Sequence, residues 1–124
     1  MIIGTGIDIV SIERIQTIVG SHGSRFAEKI LSPAEQGLVP EKNPFEFIAG
    51  RFAAKEALMK AMGDTLLGFT EIEILNDSKG RPYYTSIEKV KRALSLEPAA
   101  DLRLHLSISH ERTYAVASAI IEVP

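Results

Sequence analysis

From Asn43-Pro44, which has the cap and first-turn chemistry of a helix start, to Gly63, the chain contains no helix breaker apart from Gly50. This predicts the longest helix of the protein, a central element against which the rest must pack. On a wheel drawn at about 100° per residue from Phe45, Ile48, Phe52 and Met59 fall between roughly 300° and 340°, and Glu56 at about 20°, inside the apolar stripe. Arg51 and Lys55 fall at about 240° and 280°, flanking that stripe. Desolvating a lone carboxylate is costly or shifts its pKa, so Glu56 needs a partner or a metal. Helical geometry alone leaves pairing with Lys60, four residues on, or with Arg51 or Lys55 as open as metal binding.

The remaining segments have clear local signals. Ile2 to Val10 is β-branched and alternating, with Ile3, Thr5, Ile7 and Ile9 on one face and Gly4, Gly6 and Asp8 on the other. Ser11 is placed to cap a helix over Ile12 to Val19, Ser24 to Leu31 adds a further turn or two, and Ser32-Pro33 restarts a short helix. Glu71 to Asn76 and Arg81 to Tyr84 form a hairpin around the turn residues Asp77 to Gly80. Ser86 caps a helix over Ile87 to Leu96 that Pro98 ends, and Leu102 to His110 and Tyr114 to Val123 pair as antiparallel strands. The order βααα-ββ-α-ββ predicts an α+β fold, an antiparallel-rich sheet packed against the long central helix. No linker, repeat or low-complexity tract divides residues 1–124, so one domain is expected.

Composition narrows the function classes. A formal net charge of −2 gives no global field to recruit a polyanion, which argues against nucleic acid despite 14 Lys and Arg. With no cysteine there is no disulfide or thiolate site, and zinc would have to rely on three histidines and carboxylates. The amino terminus lacks the pattern of a signal peptide and no apolar run reaches spanning length, so a cytoplasmic protein with no membrane partner is expected.

Asp8 repeats the puzzle of Glu56, a carboxylate between isoleucines on a strand face it shares with two glycines, which leave room for a backbone or ligand to come close. It could instead cap the following helix, although Ser11 fills that role more naturally. Together Asp8 and Glu56 would suit a hard cation such as magnesium, which takes one or two carboxylates and fills its shell with water and phosphate oxygens. His110 shares a strand face with Leu104, Leu106 and Ile108, the ordinary setting of a hydrogen-bonded core histidine. Gly4-Thr5-Gly6 lacks the third glycine of a dinucleotide loop, and no Walker loop, HExxH helix or EF-hand loop occurs. The residues thus point to a two-carboxylate site with nearby cations, suited to phosphate chemistry. A magnesium-dependent nucleotide phosphohydrolase and a non-catalytic binding module both fit that description.

Three segments carry a more specific pattern: Gly6-Ile7-Asp8-Ile9-Val10, Arg51-Phe52-Ala53-Ala54-Lys55-Glu56-Ala57 and Ser107-Ile108-Ser109-His110. Their order and separation resemble the phosphopantetheinyl transferases, and their spacing with the chain length resembles the small stand-alone type, the holo-acyl-carrier-protein synthases. The resemblance implies transfer of 4'-phosphopantetheine from coenzyme A to a serine of an apo acyl carrier protein, within fatty acid biosynthesis, with release of adenosine 3',5'-bisphosphate. It implies that Asp8 and Glu56 are catalytic and hold Mg2+ against the coenzyme pyrophosphate. It further implies that Arg51, Lys60, Gly63, Pro82, Ser109 and His110 bind coenzyme A, with Lys55 and the rest of Gly80-Arg81-Pro82 as further contributors. Family members work as homotrimers with interfacial active sites, which would allow Asp8 and Glu56 of different chains to meet. They recognise the acidic carrier with a basic first helix, here represented by Arg14 and Arg25, although Glu13 and Glu28 interleave with Arg14, Arg25 and Lys29. The sequence departs from the family pattern after Gly63, at Asp64-Thr65-Leu66-Leu67-Gly68.

Overall fold

The computed structural model describes residues 1–64 and 66–124, so Thr65 of the atypical segment lies outside the described residues. The β-branched run forms β1 (Ile2–Ser11), and Ser11 accepts a hydrogen bond from the Arg14 amide to cap α1 (Ile12–His22). Gly23, at φ 60°, separates α1 from α2 (Ser24–Ile30). Ser32 and Glu35 form a reciprocal capping box around the single turn α3 (Pro33–Gln36). The long helix is α4 (Pro44–Met62), ended by Gly63 at φ 84°. A 3-10 turn at Phe69–Glu71 leads into β2 (Ile74–Asn76) and β3 (Pro82–Tyr84), an antiparallel hairpin. Asp77 closes its turn by accepting hydrogen bonds from the Lys79 and Arg81 amides. α5 (Ile87–Ala93), β4 (Arg103–His110) and β5 (Tyr114–Glu122) complete the chain.

The expected α+β architecture is present. β1, β5 and β4 form one antiparallel sheet in that order, separate from the β2–β3 hairpin. Asp8, Ala117 and Ile108 stand in one row across it. Two expected caps differ: Asn43 sits in the left-handed region without a side-chain cap bond, and the Ser86 hydroxyl accepts from the Glu73 amide instead of capping α5.

The packing of α4 also differs from the wheel. There is no single apolar stripe, because β1, β4, β5, α1 and α2 all contact the helix and bury residues around its girth. Arg51 and Lys55, expected at the rim, are buried, whereas Glu56 is only half-buried. The closest approach is to β1. A Cβ added at Gly4 would stand 2.0 Å from the Ala61 carbonyl oxygen, and one at Gly6 1.9 Å from that of Ala57. The glycines thus admit a backbone, and Asp8, two residues on, shares their helix-facing side of the strand. The opposite face of β1 is bare, with Ile7 and Ile9 each 64% exposed and Ile3 46%.

Candidate active site

The contact of β1 with α4 sets two carboxylates side by side. Asp8 is largely covered, and its Oδ1 accepts a hydrogen bond from Lys60 Nζ at 3.0 Å; the same ammonium donates to the Ile7 carbonyl at 2.9 Å. Glu56 lies one turn before Lys60 on α4. Partial burial raises its pKa, the Asp8 charge raises it further, and Lys60 opposes both. Asp8 and Glu56 therefore meet within one chain, which corrects the idea that they come from different ones. Lys60 is bonded to Asp8 rather than held by Glu56. Gly63 follows at the helix end, its amide donating to the Lys60 carbonyl. Among the described residues no group of three or more His, Cys, Asp or Glu gathers, so the chain offers this site two carboxylates.

A second group forms at the other edge of the sheet. Arg51, Glu46, Asn76, Pro82, Ile108 and His110 are among the residues lining a cleft of about 390 Å³ between α4, the hairpin and β4. The Arg51 guanidinium lies 4.4 Å over the Phe47 ring and its Nη2 donates to Asn76 Oδ1 at 3.0 Å, while its buried Nε has no partner. Burial depresses the Arg51 pKa. His110 Nδ1 is 3.7 Å from a Glu46 carboxylate oxygen, so this histidine faces a polar cleft rather than the core. Ser109 points to the opposite face of the sheet, where it lines a shallow depression with Ile9, Tyr114 and Val116. The cleft and Asp8 are two strands apart, roughly 10 Å at ordinary strand spacing.

Ser109, expected among the coenzyme contacts, thus falls outside both groups, and three further expectations do too. Lys55 is fully buried and cannot reach a ligand phosphate: its ammonium donates to Glu35 at 2.6 Å, to the Ile30 carbonyl at 2.6 Å and to that of Phe69 at 2.9 Å. Arg14 and Arg25 are exposed on α1 and α2, Arg14 at the edge of a shallow groove with Ser11, Glu13 and Thr17.

A family model described as the 4'-phosphopantetheinyl transferase superfamily matches residues 4–119. The chain belongs to that superfamily. A holo-[acyl-carrier-protein] synthase of Halalkalibacterium halodurans is 43% identical over 98% of this chain and 97% of its own length. The crystal structure of a holo-(acyl-carrier-protein) synthase from Bacillus anthracis in complex with CoA (3',5'-ADP) has a TM-score of 0.81 at 35% identity, covering 100% of this chain and 99% of that one. That of a holo-[acyl-carrier-protein] synthase from Neisseria meningitidis gives 0.85 at 34% identity, covering 98% and 99%.

Several residues around the transferase's two groups were not singled out in the sequence. Glu46 and Asn76 line the cleft as ordinary polar residues without a local signature. Glu35 had one: Ser32-x-x-Glu35 is the spacing of a capping box, and that box aims the carboxylate at Lys55.

Proposed function

We propose that this phosphopantetheinyl transferase moves 4'-phosphopantetheine from coenzyme A to a serine of an acyl carrier protein, releasing adenosine 3',5'-bisphosphate. The observation that carries this reading is the pairing of Asp8 with Glu56 across a backbone-to-backbone contact, with Lys60 beside them, in a chain similar over its whole length to a synthase crystallised with CoA. The serine oxygen forms a bond to the β-phosphorus of the coenzyme while the phosphoanhydride bond breaks toward the bisphosphate. The serine proton goes to Glu56, directly or through a water.

Asp8 and Glu56 would hold the magnesium ion. Their hard oxygens fit it, and with two carboxylates available among the described residues the rest of its shell would fall to water and phosphate. Bound there, magnesium supplies positive charge against the pyrophosphate as the anhydride opens. Lys60 and Gly63, beside the carboxylates, and Arg51, Pro82 and His110, in the cleft, are assigned to coenzyme A. Arg14 and Arg25, exposed on the helices that follow the end of β1, are assigned to the acidic carrier.

The active assembly in this reading is a homotrimer with interfacial sites, placed in the cytoplasm. Its support is the bare isoleucine face of the sheet, with Ser109 on the same side, together with the separation of the Arg51 cleft from the carboxylates within one protomer.

The experiment is a mass measurement. Incubated with coenzyme A, magnesium and apo carrier, the protein should add one phosphopantetheine to the carrier, and chelator should stop it. A carrier of unchanged mass, with phosphate released instead, would replace this reading with that of a hydrolase.

A further inference from the structure

Among the described residues Arg51 is a buried cation without a carboxylate partner. Its Nη2 donates to the amide oxygen of Asn76, its face is covered by Phe47, and its buried Nε has no partner. Among the described residues no ion pair includes it. The carboxylate that partly offsets its burial is Glu35, whose oxygens already accept from Lys55 and from the Ser32 and Ile74 amides. Glu46, the carboxylate in the same cleft, stands beside His110. The guanidinium is thus held in place but not neutralised.

We propose that Asn76 is a positioning and specificity-determining residue, which fixes the Arg51 guanidinium through a neutral oxygen and so leaves its charge available to a phosphate of coenzyme A. An aspartate at this position, of nearly the same shape, could accept the same hydrogen bond as an internal anion. Arginine pairs strongly and often bidentately with carboxylates, so the incoming phosphate would have to displace that partner. The neutral amide has geometric value without that competition. Asn76 closes β2 immediately before Asp77, whose carboxylate holds the hairpin turn, and Tyr84 on β3 ties the same hairpin to α4 by donating to the Ala54 carbonyl.

This inference rests on the coenzyme reading above, and its test separates the two. Calorimetric titration of wild type, Asn76→Asp and Asn76→Ala with coenzyme A is run beside thermal unfolding of each. Asn76→Asp should bind at least about tenfold more weakly than wild type with an unchanged or raised unfolding midpoint. Asn76→Ala, which loosens the cation without neutralising it, should lose less. A role confined to structure predicts the opposite for Asn76→Asp, since the hydrogen bond survives; wild-type affinity in that variant would overturn the proposal. Repeating the titrations with dephospho-coenzyme A identifies the phosphate. If the deficit disappears, Arg51 meets the ribose 3'-phosphate; if it persists, Arg51 meets the diphosphate. Wild-type protein that bound neither ligand would overturn the coenzyme reading itself.

Discussion

Replacing Lys55 by methionine separates structure from ligand binding inside the Phe-Ala-Ala-Lys-Glu-Ala segment. The ammonium and the Glu35 carboxylate have no solvent exposure, and the ammonium also satisfies two main-chain carbonyls. Lys55→Met removes the cation, leaves Glu35 with the Ser32 and Ile74 amides as donors, and takes a donor from the Ile30 carbonyl and from that of Phe69, which keeps the Ile72 amide. Breaking a buried pair on one side costs about 3–5 kcal/mol. Against a total stability of roughly 5–15 kcal/mol that is a large share, and at this chain length it corresponds to a fall of roughly 10–20 °C in the unfolding midpoint. Glu35→Gln should lose a comparable amount. The double variant Lys55→Met/Glu35→Gln should recover part of the loss, because neither charge then stays buried alone. Urea unfolding of all four proteins gives the coupling energy, and coenzyme A titration at a temperature where Lys55→Met remains folded should give near wild-type affinity. A Lys55→Met protein as stable as wild type but unable to bind the coenzyme would refute the reasoning and return Lys55 to the phosphates.

Glu56→Gln should abolish transfer while leaving the metal-free protein at least as stable as wild type at neutral pH. The folded-state pKa of Glu56 is raised, so its favourable contribution is complete at low pH and is lost as pH rises through that value; the gain from glutamine should therefore fade as pH drops below the ordinary 4.5, which scanning fluorimetry across that range will show. Gly6→Ala places a carbon 1.9 Å from the Ala57 oxygen, forcing β1 and α4 apart by about 1 Å at a cost of roughly 1–3 kcal/mol or more, read by thermal unfolding together with loss of transfer. Ile9→Asp on the bare sheet face should lower the assembly mass in sedimentation and suppress turnover while each protomer still unfolds cooperatively. An Ile9→Asp protein with wild-type mass and activity would count against assembly through that face.

Much of the element order was legible because its signals are local. Ser11, Gly63 and the Asp77–Gly80 turn act on their immediate neighbours, and the alternation of β1, β4 and β5 needs no knowledge of what covers them, whereas α5 stops at Ala93, short of the Leu96 end expected from Pro98. The environment of α4 was not legible, because it is made by residues far away in the chain. A wheel assumes one buried side and one wet side, and this helix has several buried sides. That is why Lys55 read as a rim cation: its partners, Ile30, Glu35 and Phe69, lie 25, 20 and 14 residues away. The oddity of Asp8 and Glu56 could be seen in sequence, but not their closeness, which depends on two glycines meeting two helix carbonyls. Asn76 and Glu46 became visible only when the hairpin and β4 were folded against Arg51 and Gly50.

Because main-chain oxygens rest against bare α-carbons at Gly4 and Gly6, the spacing between the supports of the two acids is gauged by atoms common to every amino acid. Such a gauge has no rotamers to exchange and does not slacken when neighbouring side chains drift in size. Substitutions elsewhere in the core can then accumulate while the distance across which the acids face each other stays the same. The tolerance is confined to the rest of the molecule: at those two positions even a methyl group is too much.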